Sequence, residues 1–138
     1  MKSITSGDGI SGLNMLGQYQ PDFLQRVPLA DLVTKYFAGD AEFFAKYQNA
    51  CLAQFPNDLS DGHAACAALD MATLMRTAHN LKSVLLTLGY TSISQDAAIC
   101  EQCCQTEPVQ RAVESWSRLA EQLTAVWSSG DLQAKPGD

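Results

Sequence analysis

The sequence predicts an all-α protein, an antiparallel up-and-down four-helix bundle with a short extra N-terminal helix. Apolar residues recur at the three- and four-residue spacing of a buried helix face in successive segments. No segment alternates apolar and polar residues as a half-buried strand does. The connections between the segments are short, which favours antiparallel neighbours. A chain of 138 residues suits one domain with a single core.

Three regions of the chain differ in composition. Residues 1–20 are rich in Gly, Ser, Asp and Gln and lack a sustained period, so we expect a flexible N-terminal arm. The periodic segments fill residues 21–130, which we interpret as the bundle. Residues 131–138 are predicted to form a disordered tail.

The first two helices are predicted from their ends. Pro28 suits the first turn of a short helix that ends near Gly39. Asp40 is a good N-cap for the longest helix, which continues past an expected bend at Pro56 toward Cys66. The apolar lines expected to face the core are Leu29, Leu32, Val33, Tyr36 and Phe37 in the first helix, and Phe44, Tyr47, Cys51, Phe55 and Leu59 in the second.

The remaining helices follow the same logic. Asp70 caps a third helix that stops at Gly89, Thr91 or Ser92 starts a fourth, and a fifth opens near Pro108 and ends near Gly130. The predicted core residues are Met71, Leu74, Ala78, Leu81, Leu85 and Leu88 in the third; Ile93, Ala97, Cys100 and Cys104 in the fourth; and Val109, Ala112, Val113, Trp116, Leu119, Leu123, Val126 and Trp127 in the fifth.

Charge and hydropathy narrow the functional classes. The formal net charge of -6 disfavours nucleic-acid binding, because a phosphate backbone would be repelled. No apolar run reaches the roughly eighteen residues of a membrane span, and the polar start lacks the core of a signal peptide. The five cysteines do not resemble a secreted disulfide framework. We therefore expect a cytoplasmic protein with reduced thiols and no membrane partner.

His79 is the candidate reactive residue. At about 100° per residue, it lies roughly 140° from the centre of the apolar stripe of the third helix, on the solvent side. Arg76, Lys82 and Ser83 are its neighbours one turn away. The apolar residues on that exposed face are Ala72, Met75 and Leu86.

An exposed imidazole between two cations can act as a nucleophile, and the cations would stabilise a phosphoryl group placed on it. Apolar residues around it would suit docking of a protein rather than binding of a small molecule. The same pattern also occurs on ordinary solvated helix faces, so periodicity alone leaves both interpretations open.

Residues 78–89, AHNLKSVLLTLG, resemble the signature of histidine phosphotransfer (HPt) domains, in which a His-x-Leu-Lys core is followed at a fixed distance by Leu-Gly. The order of helices over roughly residues 28–128 is similar too. The resemblance implies a phosphorelay intermediate. His79 would accept a phosphoryl group from a receiver-domain phospho-aspartate and pass it to another response regulator, with Lys82 stabilising the phosphate.

The resemblance also implies the partners, which are response-regulator receiver domains and a hybrid sensor histidine kinase. The partner-binding residues would be Ala72, Met75, Arg76, Ser83 and Leu86. Such a carrier is expected to be a monomer without a cofactor of its own, and the receiver would supply Mg²⁺. The sequence has no glycine-rich phosphate loop, so no autonomous kinase activity is expected.

The chain departs from the family pattern at two places. Ser83 stands where the family usually has Gly, and a serine is small enough to let a partner approach. Val84 and Leu85 stand where the family more often has small residues, which bears on packing and on the choice of partner.

The residues suggest two other interpretations. An HPt-fold adaptor or inhibitor could use the same face to bind a kinase or receiver without phosphotransfer. Cys100 and Cys103 have the spacing of zinc ligands, which Cys104 and His63 could complete, but Cys100 and Cys104 fall on the apolar side of a predicted helix. We therefore expect no metal site, and a surface or capping position for His63.

Overall fold

The computed structural model describes residues 21–128, and within this range the chain is all-helical, with no strand. The helices are α1 (Leu29–Phe37), α2 (Ala41–Ala68), α3 (Met71–Thr87), α4 (Thr91–Cys103) and α5 (Val109–Ser128), preceded by a short 3-10 helix, Asp22–Leu24. The predicted order of helices is confirmed. The arm predicted for residues 1–20 and the tail predicted for residues 131–138 lie outside the described residues.

The predicted helix ends rest on local hydrogen bonds. The side chain of Asp40 accepts from the backbone N–H of Phe43 at 2.9 Å, and Asp70 accepts from the N–H of Thr73 at 3.1 Å. Each carboxylate satisfies a donor that the first turn of its helix leaves free. α2 continues through Pro56 as one helix.

The core forms where the apolar faces of the four longer helices meet. α3 packs against α2 and α4, α5 packs against α4 and α2, and α1 packs on α2. The largest fully buried side chains are Trp116, Tyr90, Phe55, Leu74, Leu81, Leu85, Leu88, Ile93, Leu119, Leu123 and Val126.

Three predicted core residues were assigned wrongly. Leu29, Tyr36 and Trp127 are exposed. Leu29 is the first residue of α1, Tyr36 is the last but one, and Trp127 is the last but one of α5. Cys104 is partly buried and follows the last residue of α4.

A segment before α1 fixes the turn between α3 and α4. Nε and Nη2 of Arg26 donate to the carbonyl oxygen of Leu88 at 3.0 and 2.8 Å. The backbone N–H of Val27 donates to the carbonyl of Gly89 at 2.9 Å. Gly89 has φ of +91°, and a Cβ there would press on Leu32. The turn therefore needs glycine, and its geometry sets how α4 lies beside α3.

Among the described residues, no helix is both long and apolar enough to cross a membrane.

Candidate functional site

His79 projects from the middle of α3 into solvent. The positions around it that face inward, Leu74, Ala78, Leu81 and Leu85, are buried in the core. The His79 side chain is 56% exposed. The helical spacing thus orients the imidazole as the sequence predicts, and the core anchors the helix beneath it.

Glu101, on the neighbouring helix α4, joins His79 to Lys82. One carboxylate oxygen, Oε2, lies 2.8 Å from Nδ1 of His79, and the other, Oε1, accepts from Nζ of Lys82 at 2.8 Å. The Glu101 side chain is 20% exposed and that of Lys82 is 35% exposed. The three side chains form one hydrogen-bonded group, which we call the His79 triad.

The contacts within the His79 triad determine the charge of Glu101 and the tautomer of His79. Hydrogen bonds from Lys82, and secondarily from His79, hold the pKa of the Glu101 carboxyl below its usual range. A carboxylate can only accept hydrogen bonds, so Nδ1 of His79 carries the proton that it donates. In the neutral ring, Nε2 is then the nitrogen with a lone pair.

A buried hydroxyl ties α4 to α3 beneath the triad. Ser94 is buried, and its Oγ donates to the carbonyl oxygen of Lys82 at 2.8 Å. The Ser94 hydrogen bond fixes the register between α3 and α4. Together with the Arg26 contacts at the turn, it places Glu101 opposite His79.

The other residues predicted for this site lie on the same face of α3. Ala72, Arg76, Ser83 and Leu86 are exposed, and Met75 is half-buried. Nη2 of Arg76 donates to Oγ1 of Thr73 at 3.3 Å, which directs its guanidinium toward the start of α3. Lys82 is thus the predicted cation that joins the His79 triad.

Sequence reasoning missed Glu101, because its role depends on the register between two helices. A partial signal was present, since the predicted fourth helix carries two acidic residues, Asp96 and Glu101. On the 3.6-residue period, Glu101 shares the side of Ser94 and Ala98. Only the packed structure identifies that side as the one facing His79.

The candidate zinc ligands of the sequence are Cys100, Cys103, Cys104 and His63. Within residues 21–128, no three His, Cys, Asp or Glu side chains are grouped as a metal site requires. Burial raises the pKa of Cys100 to about 12 and that of Cys104 to about 11, which opposes the thiolate form that binds zinc. His63 is exposed, but its Nδ1 accepts from Nε1 of Trp116 at 3.1 Å, a contact that the sequence did not reveal.

The fold and the site define a class of protein, a small all-helical domain that presents an exposed histidine whose ring nitrogen contacts a carboxylate, which also binds an ammonium group. A model of the Hpt domain family matches residues 46–129. The chain belongs to the Hpt domain family, which implies a phosphotransfer role in two-component phosphorelays and interaction with receiver domains and histidine kinases. No curated protein and no solved structure matches the chain.

Proposed function

We propose that this protein is a phosphorelay intermediate in which His79 accepts a phosphoryl group from a receiver-domain phospho-aspartate and passes it to a second response regulator. The observation that carries the proposal is the exposed His79 imidazole, whose Nδ1 is bound by Glu101 at 2.8 Å while Lys82 stands beside it. The donor receiver would belong to a hybrid sensor histidine kinase.

The chemistry follows from the tautomer. The lone pair of Nε2 attacks phosphorus of the acyl phosphate, a new N–P bond forms, and the bond between phosphorus and the aspartate oxygen breaks. The electron pair leaves with the aspartate carboxylate. The imidazole becomes cationic, and the carboxylate of Glu101, already at Nδ1, balances that charge. Transfer to the second receiver reverses these steps.

Lys82 has two acceptors in this scheme. Before transfer its ammonium group is bound to Glu101, and after transfer a phosphoryl oxygen competes for the same protons. Sharing the ammonium between them stabilises the phosphorylated state without a cofactor held by this chain. Mg²⁺ would be supplied by the receiver, as would the acidic pocket around the aspartate.

The proposal includes the arrangement and setting of the domain. We infer that α2 to α5 form an antiparallel up-and-down bundle, within a unit spanning residues 21–130. Later residues of α4 meet earlier residues of α3, as in Ser94 with Lys82 and Glu101 with His79, which supports this arrangement. The net charge of -6 supports action on proteins rather than nucleic acids. We expect a cytoplasmic monomer.

The test is phosphotransfer from a phosphorylated receiver in the presence of Mg²⁺. The wild type should gain an acid-labile, base-stable phosphate, detected by intact mass, and His79→Gln should gain none while keeping its helical circular dichroism. His63→Gln replaces the other histidine and serves as the matched control that stays labelled. Lys82→Ala should slow transfer roughly tenfold while binding is retained.

Two results would contradict the proposal. One is equal labelling of His79→Gln and the wild type. The other is binding of receivers without labelling across a panel of them, which would favour the adaptor or inhibitor function.

A further inference from the structure

Four cysteines lie close together where α2 and α4 end. Cys66 is in the last turn of α2, Cys100 and Cys103 are in the last turn of α4, and Cys104 follows it. Cys100 is fully buried in the core, and the other three are partly buried and pack against it. All four are free thiols. We call these residues the thiol cluster.

Cys104 is the centre of the thiol cluster. Burial raises the pKa of its thiol to about 11, and a hydrogen bond from Cys100 opposes this rise. Negative charge on Cys103 or Cys66 raises the pKa further, and so does the charge of Glu101. Charges have this effect only at short range. Cys104 therefore lies near Cys66 of another helix and near the carboxylate of the His79 triad.

Cys66 is the partner with which Cys104 can form a disulfide. Cys100 lies one turn before Cys104 on a continuous helical backbone, where Cβ atoms are about 5–6 Å apart, whereas a disulfide needs about 3.5–4.5 Å. Cys103 is adjacent in sequence, and its side chain points about 100° away around the helix. Cys66 has neither constraint, because it belongs to a different helix. It also lines an open groove between α2 and α5, from which a small oxidant can reach it.

The turn of α4 that carries the thiols also carries Glu101. The contacts of Glu101 with His79 and Lys82, each 2.8 Å long, depend on where this turn lies. The extensive packing of α2 and of α4 is with α3 and α5 rather than with each other, which places their axes farther apart than the about 8–10 Å of directly packed helices. A disulfide holds its Cα atoms about 5.5–6 Å apart. Forming the bond therefore requires the end of α4 to move toward α2, and Glu101 moves with it.

We propose that a hydroperoxide converts Cys66 and Cys104 to a disulfide, and that this bond withdraws Glu101 from His79. The thiol cluster thereby makes the His79 triad sensitive to oxidation. The bond and the movement of Glu101 do not depend on the proposed function, whereas their effect on phosphotransfer rests on it.

The oxidation proceeds in two balanced steps. A thiolate attacks one oxygen of hydrogen peroxide, an S–O bond forms, the O–O bond breaks, and the departing hydroxide takes up a proton. The second thiolate attacks the sulfur of the sulfenic acid, an S–S bond forms, and the oxygen leaves as water. The two thiols lose two electrons and two protons, and the peroxide becomes two molecules of water. Burial raises the pKa of both Cys66 and Cys104, which makes the thiolates scarce and the reaction slow.

The first experiment maps the bond in the full chain after treatment with hydrogen peroxide. Peptide mass spectrometry without reductant should find the peptide of Cys66 joined to that of Cys104, and dithiothreitol should separate them. Cys104→Ser should form no bond to Cys66. Cys103→Ser is the matched control from the same region of α4, and it should still form the bond between Cys66 and Cys104.

The second experiment follows the movement of Glu101 through His79. The nitrogen chemical shifts of the His79 ring should report a proton fixed on Nδ1 in the reduced protein, and a mixture of both tautomers after oxidation. Transfer from a phosphorylated receiver should slow roughly tenfold after oxidation and recover in dithiothreitol. Peroxide-treated Cys104→Ser should keep the ring shifts and the transfer rate of the reduced protein.

The outcomes separate this inference from the proposed function. Absence of the bond between Cys66 and Cys104, or ring shifts of His79 that the bond leaves unchanged, would overturn the inference. Equal transfer rates before and after oxidation, despite the bond, would overturn its effect on phosphotransfer. A reduced wild type that is never labelled would overturn the proposed function, and the peptide map and ring shifts would still decide the inference.

Discussion

The carboxylate of Glu101 lies 2.8 Å from Nδ1 of His79, although the two residues are 22 positions apart and belong to different helices. This contact distinguishes the site from an exposed histidine on a solvated helix. It orients the ring, sets the tautomer and places a negative charge next to the imidazole, which would become cationic in the proposed transfer. Under the proposed function Glu101 is a positioning residue, and its effect can be measured.

Replacing Glu101 tests charge and orientation separately. Glu101→Gln keeps an acceptor for the Nδ1 proton but loses the charge, and should slow phosphorylation of His79 roughly tenfold. Glu101→Ala loses both and should be slower still. Rapid-quench measurement with a phosphorylated receiver gives the rate. Asp96→Asn, on the same helix, is the control, and equal rates in wild type and both Glu101 variants would remove Glu101 from the mechanism.

The pKa of Glu101 predicts how its contribution to stability changes with pH. Its pKa is lower in the folded than in the unfolded chain, where a glutamate titrates near about 4.3. The stabilisation that ionised Glu101 contributes is thus fully present above its pKa in the unfolded chain. It is lost as pH falls through its lower pKa in the folded chain. Urea unfolding should show wild type more stable than Glu101→Gln at pH 6, with the difference shrinking toward pH 3. A constant difference across this range would contradict the prediction.

The location of His79 could be predicted from the sequence, whereas that of its partner could not. The position of His79 depends only on the period of one helix, which Asp70 and Gly89 delimit clearly. The position of Glu101 depends on the α3–α4 turn, on the Ser94 hydroxyl and on the Arg26 contacts. These contacts join residues that are far apart in the sequence. Periodicity gives an angle around one helix, but not the register between two.

The same limit explains the residues whose burial was predicted wrongly. A stripe of apolar residues indicates which side of a helix faces the core, but not how much of each side chain the neighbouring helices cover. Leu29 and Trp127 match the stripe and are still exposed. The contact of His63 with Trp116 was hidden for another reason, because it requires the close approach of α5 to α2 at Gly62.

Gly62 allows that approach, and its replacement should destabilise the fold. A Cβ at position 62 would overlap the six-membered ring of Trp116. Replacing glycine by alanine within a helix normally stabilises the helix by about 1 kcal/mol. Here the overlap with Trp116 should outweigh that gain, so Gly62→Ala should lower the free energy of unfolding by about 2 kcal/mol. Urea unfolding followed by tryptophan fluorescence measures it. Ser60→Ala, exposed on the same helix, is the control, and a Gly62→Ala protein as stable as the wild type would refute this packing.

The thiol of Cys100 should be inert in the folded protein. The residue is fully buried, and burial raises its pKa to about 12. At pH 8 the reactive thiolate is then about one part in ten thousand. Iodoacetamide should leave Cys100 unmodified at pH 8, while the partly exposed Cys66, Cys103 and Cys104 react sooner, as peptide mass spectrometry would show. In urea all five cysteines should react. Because a zinc ligand must be a thiolate, labelling of Cys100 in the folded protein as fast as in urea would reopen the metal hypothesis.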